Sequence, residues 1–154
     1  MKGKEARTQA IDIPRKSPEN ETFHKMFVDP HGIHVLICTK QGETYYICPI
    51  AKKLKKCDKL KGLVFESVGW DKETVSDSTT GNVLMGTNNG AVYEVRFDVT
   101  IKDGVKSAKL VYDLKTNASD QSPVTGLEVE YFVPPRASNF TVPKFFILVT
   151  TPSR

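Results

Sequence analysis

The sequence predicts an all-β chain built from repeated antiparallel four-stranded sheets. Three observations carry this. Apolar runs of strand length alternate with Gly, Pro and Asn turn signals along most of the 154 residues. No window longer than ten residues holds a 3.6-residue apolar stripe, so no amphipathic helix is expected. One pattern also recurs: VLICTKQGETYYI begins at Val35 and VLMGTNNGAVYEV at Val83, an offset of 48. Both open Val-Leu-apolar, with Thr fifth, Gly eighth and Tyr eleventh. A third copy, ILVTTPSR, starts at Ile147, and residues 133–144 (VPPRASNFTVPK) read as a loop inserted before it. Repeats of this period, with about four strands each, are the signature of propeller blades. The expected fold is a partial β-propeller of WD40-like blades.

In chain order, residues 1–22 form a polar N-terminal segment with room for an edge strand. Residues 23–154 form the incomplete propeller, about two blades plus part of a third. Residues 24–29 read as a strand closed by Asp29-Pro30-His31-Gly32, a turn with Pro and Gly well placed. Residues 34–39 and 43–48 make a hairpin around Lys40-Gln41-Gly42, and the return strand is rich in Thr, Tyr and Ile. Residues 65–71 open the second unit. Residues 83–95 then raise a question: Gly86-Thr87-Asn88-Asn89-Gly90 is either a phosphate cradle or a hairpin tip. A phosphate loop needs Lys-Ser/Thr after its last glycine, opening a helix; here Ala91-Val92-Tyr93 continues as a strand. Asn89-Gly90 suits a type I′ hairpin turn, with both residues at positive φ. Residues 108–114 supply a short extra strand and residues 124–132 open the third unit. Unalternated runs such as Val83-Leu84-Met85 fit blades covered on both faces by their neighbours.

No long apolar run or signal-like segment is visible. Cys38, Cys48 and Cys57 fit neither a disulfide scaffold nor a zinc pair and read as reduced thiols. Asp29, His31 and His34 lack a second ligand pair and read as a solvated turn. Cys38 sits in an apolar run, as an inert buried thiol does. Glu128 and Glu130 share one strand face and read as a solvated edge. Trp70, the sole tryptophan, is expected to be largely buried at a strand end. Nothing in the sequence marks catalytic residues, a metal site or a cofactor.

Charge is uneven. Residues 51–61 (AKKLKKCDKLK) hold six lysines and one aspartate, net +5 in a chain of net +4. The segment lacks the aromatics that usually accompany lysines in RNA and single-strand binders, so nucleic acid is not expected. The plain reading is a solvated loop between blades, with a short helical turn as a lesser alternative. The functional reading is contact of Lys52, Lys53, Lys55, Lys56, Lys59 and Lys61 with an anionic membrane or an acidic partner.

FHKMFVDPHGIHVLI, GLVFESVGWDK and TGNVLMGTNNGAVYEV together resemble the N-terminal region of the vacuolar protein sorting-associated protein 18 (deep orange) family. The resemblance runs over residues 9–154, most specifically in residues 66–70 (ESVGW) and in the Gly81 to Thr87 hairpin. It implies a non-catalytic β-propeller module of a HOPS/CORVET-type tethering subunit. It further implies class C tethering subunits as partners, no small-molecule substrate, and a cytoplasmic, peripheral place on late endosome, lysosome or vacuole membranes. Such proteins continue into an α-solenoid and a RING-type domain, and carry propeller sequence before the part matching residues 9–30, so Met1 reads either as a fragment boundary or as the start of an abbreviated gene model. No RING cysteines occur here, so zinc and ligase-like activity are not carried over. Two rivals stand beside this reading: a WD40-like scaffold outside membrane traffic, and an enzyme using the propeller channel.

Overall fold

The structure, a computed structural model, describes residues 10–13, 21–115, 121–132 and 144–152. Ten strands account for nearly all of its regular structure: β1 (Phe23–Val28), β2 (Val35–Thr39), β3 (Thr44–Cys48), β4 (Lys53–Lys56), β5 (Phe65–Trp70), β6 (Thr79–Thr87), β7 (Ala91–Asp98), β8 (Val105–Asp113), β9 (Gly126–Phe132) and β10 (Lys144–Thr150). Among the described residues one 3-10 turn, Asp58–Leu60, interrupts them. The strands form two four-stranded antiparallel sheets, β1-β2-β3-β4 and β5-β6-β7-β8, and a two-stranded sheet, β9-β10. In each full sheet the chain moves from one edge strand to the other without a crossover, as a propeller blade requires. β1 touches β5, and β5 and β6 touch β9, so the sheets stack in chain order through their first strands. The expected all-β partial propeller is what the chain forms.

The 48-residue repeat has a physical cause in the two hairpin turns. Thr39 Oγ1 accepts the Glu43 amide at 3.0 Å, and Thr87 Oγ1 accepts the Ala91 amide at 3.0 Å. Gly42 N donates to Thr39 O and Gly90 N to Thr87 O, with the glycines at φ 78° and 88°. The fifth-position Thr ties the loop across its base and the eighth-position Gly takes the left-handed turn. This corrects the type I′ expectation: Asn89 is not at positive φ, and the only non-glycine residue among those described that is so placed is Lys52. Each turn is a three-residue loop closed by a left-handed Gly, the next most common hairpin connection. The two glycines differ in their surroundings. A Cβ on Gly42 would lie 2.7 Å from the Gly62 backbone, whereas the tightest neighbour of one on Gly90 would be Ser122 O at 3.2 Å. Gly90→Ala is therefore expected to cost about 1–2 kcal/mol from the φ penalty. Gly42→Ala should cost clearly more, because backbone must shift as well. Urea titrations of the two variants check the order.

The main core lies between the two full sheets. Leu36, Cys38, Tyr46 and Cys48 of the first sheet meet Val83, Met85, Val95, Phe97 and Val105 of the second, with Cys57, Leu60 and Phe65 filling the seam. Trp70 is only partly buried against this core, short of the burial expected from its strand-end position. A smaller core joins the second sheet to β9-β10 through Leu84, Val92, Val124, Leu127 and Val129. Gly69 and Gly86 allow that approach, since a Cβ at either would overlap Val129 or Val124.

Residues 51–61 are not a loop. Lys53–Lys56 pairs with β3 as an outer strand, and only Asp58–Leu60 turns helically. Residues 10–13 carry no strand; the rest of the N-terminal segment as far as residue 20 and residues 133–143 of the expected loop lie outside the described residues, while Lys144 already belongs to β10.

Candidate functional site

The six lysines singled out in the sequence lie on β4 and just before and after it, at the strand farthest from the sheet-to-sheet contacts of β1. They divide into two groups. Lys55 reaches across to the second sheet, where its Nζ donates to the carbonyls of Val99 (2.8 Å) and Ile101 in the β7–β8 turn. Lys59 Nζ donates to Val105 O at 2.6 Å and lies 3.9 Å from the Asp103 carboxylate. Lys56 pairs with Glu43 at 3.0 Å and sits 5.6 Å above the centre of the Tyr45 ring. These three are engaged within the fold. Lys52, Lys53 and Lys61 are exposed and make no ion pair among the described residues.

Lys55 and Lys59 thus clamp one blade to the next. Gly104 makes room for this, since a Cβ there would meet the Tyr46 ring at 2.7 Å. Charge-assisted hydrogen bonds of this kind contribute about 1.5–3 kcal/mol. Lys55→Gln is expected to destabilise the chain by that order, while Lys61→Gln should leave the melting midpoint unchanged. Calorimetry on both proteins makes the comparison.

A second polar seam lies beside the clamp. Asp29 is buried, and its carboxylate accepts the amides of His31 (2.8 Å), Ile33 (2.7 Å) and His34. His34 is fully buried; its Nε2 donates to Ser76 O at 2.7 Å and its Nδ1 meets the Tyr46 hydroxyl at 2.8 Å. The solvated-turn expectation therefore holds for His31 but fails for Asp29 and His34, which cap the β1–β2 turn and bind the loop after β5. Tyr46 stacks on His34 and tilts against Phe97, and burial pushes its hydroxyl pKa well up.

At the first strands, β1 and β5 carry register shifts at matching places, leaving His24 and Glu66 as the bulged residues. The two meet: His24 Nε2 lies 2.8 Å from Glu66 Oε1, and Lys25 Nζ lies 2.9 Å from Glu66 Oε2. Burial opposes the Glu66 charge, but the hydrogen bonds from Lys25 and His24 outweigh it and hold the carboxyl below its usual range. Glu128 and Glu130 are exposed, as expected, and both flank Lys72, at 3.1 and 3.4 Å. Cys38, Cys48 and Cys57 are free and buried. Burial raises Cys38 to about 12 and Cys57 further. Thiols so placed are poor nucleophiles. Among the described residues no group of His, Cys, Asp and Glu is arranged to hold a metal ion, and no helix is long and apolar enough to cross a membrane.

β9 and β10 expose Tyr131, Phe132, Phe145, Phe146, Ile147 and Leu148. Sequence reading picked out the apolar run but not its exposure, because blade strands look alike whether or not a neighbour covers them.

Comparison with known proteins agrees with this architecture. Residues 3–154 match the model of the Pep3/Vps18/deep orange beta-propeller domain. The chain is 28% identical over 159 residues to a vacuolar protein sorting-associated protein 18 homolog of Danio rerio, covering 99% of this chain and 15% of that protein. It is 30% identical over 109 residues to vacuolar sorting protein 18 of Arabidopsis thaliana, covering 68% of this chain and 11% of the relative. A Drosophila melanogaster homolog is 28% identical over 142 residues, 83% of this chain and 13% of its own length. The chain thus spans no more than about 15% of the length of these three relatives. With successive four-stranded blades in the structure and a family match along almost its whole length, the chain belongs to the Pep3/Vps18/deep orange β-propeller family.

Proposed function

We propose that this chain is a non-catalytic protein-interaction module in vacuolar and lysosomal protein sorting, acting within a HOPS/CORVET-type tethering subunit. The observation that carries the reading is the family match along residues 3–154, borne on stacked blades. Relatives named for vacuolar protein sorting support it. In this reading residues 23–154 provide two blades and part of a third, and the module works on the cytosolic side of late endosome, lysosome or vacuole membranes beside other class C subunits.

The site chemistry supports an interaction role over an enzymatic one. The buried thiols of Cys38 and Cys57 have raised pKa values, and both ring nitrogens of His34 are engaged within the fold. Among the described residues, the cleft of about 450 Å³ between the second and third sheets is lined by Gly90, Leu114, Lys115, Ser122, Val149, Thr151 and Pro152, with no carboxylate or imidazole side chain, and a smaller cavity of about 150 Å³ holds the carboxylates of Asp71 and Glu94 but no imidazole or thiol. General acid–base work needs such groups in reach of one another.

Affinity purification of the tagged chain from cells, read by quantitative mass spectrometry, tests the reading. Enrichment of class C tethering subunits over an unrelated propeller control is expected. Recovery of partners from other processes, with none of those subunits, would favour the scaffold rival instead.

A further inference from the structure

The lysine segment does not stand alone in space. The 3-10 turn after β4 touches β8, and Lys55 and Lys59 bind the carbonyls of Val99, Ile101 and Val105. β4 and β8 are each the last strand of their sheet, so this contact joins two outer strands into one wall across the blade boundary. Residues 51–61 and 99–113 together hold nine lysines against three aspartates, net +6, and the rest of the chain is −2 by subtraction. Lys52, Lys53, Lys61, Lys102, Lys106 and Lys109 are exposed on this wall, and none makes an ion pair among the described residues.

Three features choose the partner. Every cation of the wall is lysine and none is arginine. Lysine is a strongly hydrated point charge, depleted at protein–protein interfaces, whereas arginine is the residue of carboxylate forks. A smeared field of anionic headgroups suits point charges better than a shaped acidic protein does. Next, β8 leaves Leu110, Val111 and Tyr112 exposed among its lysines, with Tyr112 at 65%. An aromatic with apolar neighbours beside cations fits the level of lipid headgroups. Finally, β8 is shifted twice in its register with β7, at Lys106 and at Val111. Bulges and lysines blunt an edge strand against pairing with another strand. The wall therefore offers side chains to a surface, and its backbone edge is protected from an added peptide.

We propose that the β4–β8 wall is a contact surface for an anionic phospholipid bilayer. The exposed lysines supply the attraction, Tyr112, which shares a face of the second sheet with Lys109, settles at the headgroup level, and Lys55 and Lys59 hold the two blades together. This goes beyond the interaction role above, and it stands on the wall's charge and geometry whether or not that role holds.

Co-sedimentation of the full 154-residue chain with vesicles tests it. One set contains phosphatidylcholine with about 30 mol% phosphatidylserine, in the range of an anionic cytosolic leaflet; the other is phosphatidylcholine alone. Wild type should bind the anionic vesicles, weaken from low to physiological salt, and ignore the neutral ones. Changing Lys52, Lys53, Lys61, Lys102, Lys106 and Lys109 to Gln should lower binding roughly tenfold or more with the thermal melt little changed, because none of the six makes an ion pair or side-chain hydrogen bond among the described residues. A second six-lysine variant, each changed to Arg, should retain binding. No sedimentation of wild type with anionic vesicles at low salt would overturn the proposal. So would equal binding to neutral vesicles, or Gln and wild-type proteins that bind alike. Binding to polyglutamate or RNA without binding to vesicles would also overturn it, and would assign the wall to an acidic polymer.

Discussion

Replacing Tyr46 by alanine is expected to cost about 3–5 kcal/mol, the range for removing a large core aromatic. Tyr46 is fully buried at the seam between the first two blades, against Phe97 and His34. Its loss opens a cavity between the two sheets, and it strips the partner from His34 Nδ1. Tyr46→Phe separates these effects. It keeps the ring and removes only the hydroxyl, so about 1–3 kcal/mol is expected, the cost of an unsatisfied buried polar atom. Chemical denaturation of both variants measures the two losses. Equal losses would mean that the hydrogen bond, and not the ring, secures the seam.

Stability should fall steeply in alkali. Burial lifts Cys38 from 9.0 to about 12, and lifts Cys57 and the Tyr46 hydroxyl further. Between the ordinary and the raised pKa, the folded chain keeps a proton that the unfolded chain has released. Rising pH therefore favours unfolding. The contribution is whole below about pH 9 and is lost as the pH climbs towards 12. Each such group adds a slope of about 1.4 kcal/mol per pH unit in that window. The melting midpoint is expected to stay flat up to about pH 8.5 and then drop steeply, from the thiols first. A Cys38→Ala, Cys57→Ala double variant should drop more gently. A midpoint unchanged to about pH 11 would refute the linkage.

The hairpins were legible because their signals are local. Thr39 and Gly42, or Thr87 and Gly90, fix a turn within five residues, and the apolar runs beside them can serve only as strands. The turn type was misread for a local reason too: Asn-Gly favours I′, but the Thr hydroxyl across the loop base selects the longer form. β4 was hidden because lysines are poor strand formers, and its conformation comes from pairing with β3. The buried His34 and the clamping Lys55 and Lys59 were out of reach for a different cause. Their partners, Ser76, Val99, Ile101 and Val105, lie 42 to 46 residues away, across a blade boundary that no sequence spacing marks. The candidate site was therefore half readable. The cluster of charge was plain in the sequence, and the division into engaged and open lysines was not.

The edges of the sheets are unequally protected. β4 is short and lysine-rich, β1, β5 and β8 are bulged, and β9 carries Glu128 and Glu130. β10 has seven pairs in unbroken register with β9 and an uncharged Phe145-Phe146-Ile147-Leu148-Val149. No described strand pairs with its other side. Such an edge is open to pairing with a second copy, and where it does pair, protein concentration becomes a thermodynamic variable. Any molecule that docks there binds the folded form alone and draws the folding equilibrium towards it by mass action. A melting midpoint taken at one dilution then belongs to that dilution, and stabilities of variants are comparable only when measured at matched concentration.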